Sequence, residues 1–106
     1  MEKLSISDLH IILVEPSDTQ RKIITTLLLK EKVKEIDPVS TLSEAMSAVK
    51  AHGADLIVSA MYFEDGTAID LLKFIKENDE FKTIPFMLVS SENRISKLEE
   101  FKQAGV

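Results

Sequence analysis

The sequence predicts a doubly wound α/β fold, in which helices cover both faces of a parallel sheet. Two observations carry this prediction. Short apolar runs alternate with segments that repeat apolar residues at helical spacing, and the links between them are short. Strict alternation of this kind is typical of parallel sheets, and right-handed crossovers then restrict the topology to a doubly wound sheet. The predicted order of elements is βαβαβαβα.

Four segments are predicted to be strands. Residues 10–14, 56–58 and 86–89 are continuous apolar runs, and the lack of polar alternation favours strands buried on both faces. The remaining strand covers residues 33–39 and contains Pro38. Because proline has no amide hydrogen to donate to a neighbouring strand, this strand is expected at an edge of the sheet.

Four helices are predicted between and after these strands. Ser17 and Thr41 each precede a Gln or Glu by three residues, which is the spacing of a helix-capping box. A first helix therefore begins after Ser17, and a second begins after Thr41 and stops at Gly53. The third covers residues 68–76 and the fourth residues 94–103. The inner face of the first helix is predicted to consist of four apolar side chains, Ile23, Ile24, Leu27 and Leu28.

The composition excludes several classes of protein. The 106 residues are 44% apolar, which suits one domain over residues 1–106 with a real core. The absence of cysteine excludes disulfides and thiol catalysis, and it suits a reducing compartment. No apolar run approaches the roughly 18 residues that span a bilayer, and the start is not a signal peptide. The net charge of −5 argues against direct nucleic-acid binding.

The segments that follow the strands hold the candidate site residues. In doubly wound sheets, ligands bind beyond the carboxyl ends of the strands, near the switch in strand order. The first strand is followed by Glu15 and Pro16, the third by Ala60, and the fourth by Ser90. Side chains at these positions are therefore expected to share one edge of the sheet.

Four stretches resemble the receiver domain of response regulators. IILVEPSDTQRKII is similar to the first strand and helix of that family, and DLIVSAMYFEDGTAIDLL to the third strand and its following loop. PFMLVSSE resembles the fourth strand with its switch hydroxyl, and KQAGV the turn before the fifth strand. The resemblance implies a flavodoxin-like sheet with strand order 2-1-3-4. It also implies a fifth strand and a last helix that are missing from this chain, which is therefore expected to be an incomplete domain.

The resemblance also implies a role for each matching position. The first acid of the family's pair falls on Glu15, and the second, usually a metal ligand, falls on Pro16. The phosphate-accepting aspartate falls on Ala60, and the switch hydroxyl on Ser90. Alanine offers no nucleophile, and one carboxylate should not hold magnesium well. The site is therefore expected to be a degenerate acidic pocket that neither accepts phosphate nor binds metal.

Other residues have two possible interpretations each. Glu15 is either a residual cation ligand or, preferably, a solvated loop carboxylate. Arg21 is either an anion ligand or a solvated side chain on an exposed helix face. Glu64 and Asp65 are candidate substitute acceptors, although they lie several residues into a loop. Further side chains are read as structural or as part of a small apolar patch: His10, His52, Met61 and Tyr62.

The leading hypothesis is a pseudo-receiver of a two-component or phosphorelay system that acts through phosphorylation-independent protein contacts. Its expected partner is another protein or an adjacent domain of a longer regulator, with a homodimer as a further option. No enzyme activity, cofactor, nucleic acid or membrane contact is expected, and a cytoplasmic bacterial setting is implied. Contacts are expected on the fourth helix, at Arg94, Lys97, Glu99, Glu100 and Lys102. The alternative is a small-ligand or flavin-binding domain, although the EPSDTQ loop lacks glycine.

Overall fold

A computed structural model describes residues 8–89 of the chain. The chain forms nine elements in this range: β1 (His10–Val14), α1 (Asp18–Lys30), β2 (Glu35–Val39), α2 (Leu42–His52), β3 (Leu56–Ser59), β4 (Tyr62–Phe63), β5 (Gly66–Thr67), α3 (Ala68–Lys76) and β6 (Phe86–Leu88). The predicted fourth helix, residues 94–103, and Ser90 lie outside the described residues.

Four strands form a parallel sheet in the order β2-β1-β3-β6. Strand β1 lies in the interior of this sheet, where Val14 pairs with Val39 on one side and with Ser59 on the other. Because β6 is the fourth predicted strand, the order confirms the flavodoxin-like arrangement 2-1-3-4. The edge position of β2, predicted from Pro38, is confirmed as well, and Pro38 pairs with Leu13.

Two apolar clusters lie on opposite faces of the sheet, as expected for strands buried on both sides. Ile12 and Val14 of β1 belong to the cluster that packs against α2 and α3. Ile11 and Leu13, the alternate residues of the same strand, belong to the cluster on the α1 side. All four side chains are fully buried, because successive residues of a strand point to opposite faces.

The predicted inner face of α1 is half wrong. Ile24 and Leu28 pack against the cluster on their side of the sheet, but Ile23 is 48% exposed and Leu27 is 54% exposed. Each residue advances about 100° around a helix, and the half-buried side of α1 extends from Ile24 and Leu28 toward Arg21. Ile23 and Leu27 fall outside that side and face solvent.

The predicted helix starts are confirmed by their hydrogen bonds. The Ser17 hydroxyl oxygen accepts from the Gln20 amide at 3.2 Å, and the Thr41 hydroxyl oxygen accepts from the Glu44 amide at 3.1 Å. Helix α2 ends at Gly53, which has a φ of 67°. In the left-handed region a side chain is strained, so this glycine suits the end of the helix.

A short hairpin formed by β4 and β5, which the sequence did not predict, follows β3. Phe63 pairs with Gly66 in the antiparallel register, and the Ala68 amide donates to the Met61 carbonyl at 2.8 Å below it. Gly66 has a φ of 143°, and a Cβ atom there would lie 2.5 Å from an oxygen of Asp70. The hairpin therefore depends on glycine at this position.

Within residues 8–89, none of the helices combines the length and apolar character needed to cross a membrane.

Candidate functional site

Three backbone segments meet at the carboxyl edge of the sheet. The Glu15 amide donates to the Val39 carbonyl at 3.0 Å, and the Ala60 amide donates to the Val14 carbonyl at 2.8 Å. These bonds continue the parallel ladder by one residue beyond the strands. Glu15 therefore lies beside Ala60, as the sequence predicted, with the β2–α2 connection on its other side. The predicted fourth member, Ser90, lies outside the described residues.

Glu15 is buried, which contradicts its reading as a solvated loop carboxylate. Only 8% of the residue is exposed, and one carboxylate oxygen accepts a hydrogen bond from the Ser17 amide at 3.1 Å. The bond turns the side chain back over the start of α1. A negative charge is favourable at this position because helix N-termini carry partial positive charge.

Arg21 is also held in place rather than solvated. Its guanidinium donates to the backbone carbonyl of Glu15 at 2.8 Å and forms an ion pair with Asp18 one turn earlier. Only 23% of the Arg21 side chain is exposed. The arginine therefore holds the β1–α1 connection in place, and two of its five N–H donors have acceptors from the chain itself.

A small cleft opens beside these residues. Its volume is about 160 Å³, and it is lined by Pro16, Ser40, Thr41 and Glu64. The lining thus comes from the segments after β1 and β2 and from the hairpin. Pro16 is exposed and has no side-chain oxygen. The cleft has room for a few water molecules, but among residues 8–89 Glu64 is the only charged residue that lines it.

The residues around Ala60 are mostly apolar. Ala60 itself is half-buried, and the neighbouring Ser59 hydroxyl donates to the Ala60 carbonyl at 2.7 Å. Met61 is buried in a small cluster with Ala68, whereas Tyr62 is 48% exposed. Met61 is therefore a buried core residue, and of these two side chains only Tyr62 is exposed enough to belong to an apolar patch.

Asp65 is bound to the start of α2. Its two carboxylate oxygens accept from the amides of Leu42 at 3.2 Å and of Ser43 at 3.1 Å. Partial desolvation pushes the pKa of the Asp65 carboxyl up, but the hydrogen bonds from these amides outweigh it and leave the pKa lowered. The local sequence predicts only a loop at Asp65, because the partner amides are 22 and 23 residues away in the chain.

Glu44 forms a second anionic contact at the same helix start. One of its oxygens accepts from the Ser40 hydroxyl at 2.9 Å, from the Ser40 amide at 3.2 Å and from the Thr41 hydroxyl at 3.2 Å. The Ser40 side chain, followed by the Ser40 amide, lowers the pKa of the Glu44 carboxyl. The first turn of α2 is therefore already supplied with two carboxylates from this chain.

The titratable residues at the other end of the sheet form a separate pair. His10 Nε2 lies 2.9 Å from a carboxylate oxygen of Asp37, and the His10 and His52 rings are 6.3 Å apart. Asp37 belongs to the neighbouring strand, so this pair forms only through the pairing of β1 with β2. Across residues 8–89, there is no group of three or more His, Cys, Asp or Glu side chains that could hold a metal ion.

Comparison with known proteins identifies what the chain resembles as a whole. Residues 11–106 match the family described as "Response regulator receiver domain". The rice (Oryza sativa subsp. japonica) two-component response regulator ORR7 is 34% identical over 99 residues, covering 86% of this chain and 45% of the rice protein. The rice (subsp. indica) regulator ORR3 is 30% identical over 100 residues, covering 91% of this chain and 73% of its own length. The chemotaxis protein CheY-3 of Vibrio cholerae is 26% identical over the whole chain and 82% of that protein.

Solved structures agree on the fold. The chemotaxis response regulator CheY4 of Vibrio cholerae superimposes with a TM-score of 0.82 at 20% identity, over 92% of this chain and 80% of that one. The phosphorylated cyanobacterial phytochrome response regulator RcpA also gives 0.82, at 23% identity, over 92% of this chain and 76% of that one. The relatives include plant and bacterial proteins, so the implied bacterial setting is not established. The chain spans less than half the length of rice ORR7.

Proposed function

Because the chain belongs to the response regulator receiver domain family, we propose that it is a degenerate receiver that signals by binding proteins without accepting phosphate. The observation that carries the proposal is Ala60, which follows β3 and lies beside Glu15 at the carboxyl edge of the sheet. In the proposal this is the position of the family's phosphate-accepting aspartate. A methyl group there offers no carboxylate to attack a phosphoryl donor.

The donor set at this edge also argues against the magnesium ion on which the family's phosphoryl transfer depends. Mg²⁺ prefers carboxylates, waters and phosphate oxygens in a near-octahedral arrangement. Glu15 supplies a carboxylate, but one of its oxygens already accepts from the Ser17 amide. Neither Pro16 nor Ala60 has a side-chain oxygen. These residues do not fit the ion, so in the proposal nothing at this edge neutralises charge on a transferred phosphoryl group.

The two acids of the hairpin are poor substitutes for the missing aspartate. Both oxygens of Asp65 are occupied by the amides of α2, and its carboxylate is directed toward that helix. Glu64 is exposed and lines the small cleft, so it is the better of the two candidates. In the proposal neither one is an acceptor, and a labelling experiment can distinguish them.

In the proposal, a domain that does not accept phosphate signals through its contacts with other proteins. The proposed partner is another protein or an adjacent domain of a longer regulator, and the proposal includes neither nucleic acid nor a membrane. The flavin-binding alternative is not favoured by the family assignment. It also lacks support in the β1–α1 connection, where the amides of Ser17 and Gln20 are bonded to side chains of this chain.

Intact-mass spectrometry after incubation with acetyl phosphate and magnesium tests the proposal. The expected result is an unchanged mass, with an aspartate-containing receiver in the same tube as the positive control. A hydroxylamine-labile phosphoryl adduct on this chain would overturn the proposal. Glu64→Gln and Asp65→Asn variants would then identify the acceptor, because only the correct variant would lose the adduct.

A further inference from the structure

The turn of the β4–β5 hairpin contains the one Asp–Gly pair of the sequence. Asp65 is followed by Gly66, and no other aspartate or asparagine among the 106 residues precedes a glycine. In such a pair the backbone nitrogen of glycine can attack the side-chain carboxyl carbon of aspartate, because glycine has no side chain to hinder the approach. Asp65 is therefore the aspartate of this chain that is chemically most prone to rearrange to isoaspartate.

This rearrangement has two steps and needs no reagent except water. In the first step a bond forms between the Gly66 nitrogen and Cγ of Asp65, and a carboxyl oxygen leaves as water with the amide proton and the carboxyl proton. In the second step water opens the resulting succinimide ring. Opening at the main-chain carbonyl carbon of Asp65 leaves the chain linked through Cγ, which is isoaspartate, and opening at Cγ restores aspartate. The first step favours the protonated carboxyl group, because an ionised carboxylate is a poor electrophile.

The contacts of Asp65 oppose the first step in the folded chain. Its two carboxylate oxygens accept from the amides of Leu42 at 3.2 Å and of Ser43 at 3.1 Å, so the side chain is held against α2. Partial desolvation raises the pKa of the Asp65 carboxyl, but the Ser43 and Leu42 amides outweigh it and leave the pKa lowered. The two bonds therefore fix the position of the carboxyl carbon and also keep the group in its less reactive, ionised form.

We propose that Asp65 is a modification site at which isoaspartate forms when the hairpin separates from α2. The hydrogen bonds to α2 keep the residue unreacted, and each local opening of the hairpin exposes it to rearrangement. The inference goes beyond the proposed function, since neither a phosphoryl group nor a partner protein takes part.

The product does not fit the place that Asp65 occupies. Isoaspartate lengthens the backbone by one carbon ahead of Gly66, and its free carboxylate is attached directly to Cα. The space beside Gly66 is already filled, because a Cβ atom there would lie 2.5 Å from an oxygen of Asp70 and 2.9 Å from a methyl carbon of Leu42. The rearranged hairpin therefore does not return to α2, and the modification makes a transient opening permanent.

The test compares the whole 106-residue chain with a peptide of residues 61–69, which has the same Asp–Gly pair but no α2. Both are incubated at neutral pH for several weeks and the chain is then digested. Electron-transfer mass spectrometry measures the isoaspartate fraction at position 65, since it distinguishes the two isomers of equal mass. The chain should react at least about tenfold more slowly than the peptide, because two hydrogen bonds to a charged group must first break. Equal rates would overturn the inference.

Two substitutions at one position test the role of the α2 amides. Ser43→Pro removes one of the two donors, and the first turn of a helix accommodates proline because its amides have no partner within the helix. This variant should form isoaspartate at least about threefold faster than wild type. Ser43→Ala keeps the amide and is the matched control, with an unchanged rate. Equal rates for the two variants would overturn the inference.

Asp79 is an internal control in the same digest. Its side chain is 94% exposed, but Glu80 follows it instead of glycine. Exposure alone should therefore produce no isoaspartate there. A fraction at Asp79 comparable to that at Asp65 would overturn the assignment of the site to the Asp–Gly pair.

Wild-type chain in urea below its unfolding transition tests the same point without relying on a variant that folds. The isoaspartate rate should rise before the circular dichroism of the helices falls, because the hairpin opens locally before the whole chain unfolds. A rate that rises only together with global unfolding would overturn the inference. The phosphate-labelling experiment is separate, since a phosphoryl adduct adds mass whereas isoaspartate leaves the mass of the chain unchanged.

Discussion

A carboxylate oxygen of Asp65 accepts a hydrogen bond from the Ser43 amide at 3.1 Å, which ties the hairpin to the first turn of α2. The other oxygen binds the Leu42 amide in the same way. These are two of the amides that a helix start leaves without a partner of its own. The hairpin after β3 is thus fixed to the helix after β2, across the edge of the sheet where the candidate site lies.

Replacing Asp65 with Ala should lower the thermal unfolding midpoint more than replacing Glu64 with Ala. The physical reason is that Asp65 bonds two helix amides, whereas Glu64 has no such bond among the hydrogen bonds of residues 8–89. Differential scanning calorimetry of the three proteins at neutral pH measures the difference. Equal midpoints for the two variants would show that the Asp65 bonds add nothing to stability.

The contribution of Asp65 should also depend on pH. Its folded-state pKa is lowered from the ordinary value of 3.8, so the contribution is complete above that value and is lost as the pH falls through the folded pKa. The gap between wild type and Asp65→Ala should therefore close in acid. The pKa of Glu44 is also lowered, so Glu44 loses its contribution to stability in acid as well. Urea unfolding of Glu44→Gln with and without Asp65→Ala therefore isolates the contribution of Asp65. A gap that persists at the lowest pH would contradict it.

Gly66→Ala should destabilise the fold by about 1–3 kcal/mol. The substitution forces an L side chain to a φ of 143° and places its Cβ atom 2.9 Å from a methyl carbon of Leu42. Gly53→Ala is the control, because that position has a φ of 67° with no atom within 4 Å of the new Cβ. Its ψ of −168° also lies in a region that essentially only glycine occupies, so Gly53→Ala should cost about 1–2 kcal/mol from backbone strain alone, and the larger loss at Gly66 reports the added steric contact. Chemical denaturation ranks the two variants, and a smaller loss for Gly66→Ala would contradict the packing of the hairpin.

Leu27 and Leu28 should differ sharply in their effect on stability. Leu28 packs against the sheet, so Leu28→Ala should cost about 1–3 kcal/mol. Leu27 is 54% exposed, and Leu27→Ala should stay within about 0.5 kcal/mol of wild type. Urea unfolding of both variants tests the orientation of α1. Similar losses would mean that both residues face the core, as the sequence alone suggested.

Restoring magnesium binding should require two substitutions rather than one. Ala60→Asp adds one carboxylate beside Glu15, but position 16 still lacks an oxygen. Adding Pro16→Asp should tighten magnesium binding by at least about tenfold over the single variant, because two new carboxylates then face one cation. Calorimetric titration compares the variants. If Ala60→Asp alone binds as tightly as the double variant, Pro16 does not occupy a metal-ligand position.

The sequence correctly predicted the features that depend on a single helix or strand. The capping residues Ser17 and Thr41 predicted helix starts because their hydrogen bonds reach only three residues along the chain. The buried runs predicted the strands, since both faces of the sheet are covered. The resemblance then ordered the strands and placed Glu15 beside Ala60.

The wrong predictions have different physical causes. Glu15 was predicted to be a solvated loop carboxylate, because its burial depends on how α1 meets the sheet. Asp65 was placed in a loop as a candidate acceptor, because the amides that bind it belong to α2, 22 and 23 residues away. The hairpin was missed because each of its strands has only two residues, too few for a periodic pattern. The α1 face was misjudged because an apolar residue in a helix can equally line the core or face solvent.

Pro38 has a consequence for how copies of this protein meet in concentrated solution. The Val39 carbonyl points toward β1, where it binds the Glu15 amide, so the alternate residue Pro38 directs its backbone outward. A strand of another copy that paired with β2 would need a backbone amide donor at that point. The proline ring nitrogen there has no hydrogen to donate. The neighbouring exposed Glu35 adds charge to the same rim. Together they discourage strand-by-strand aggregation at the one sheet border that β2 leaves open to solvent.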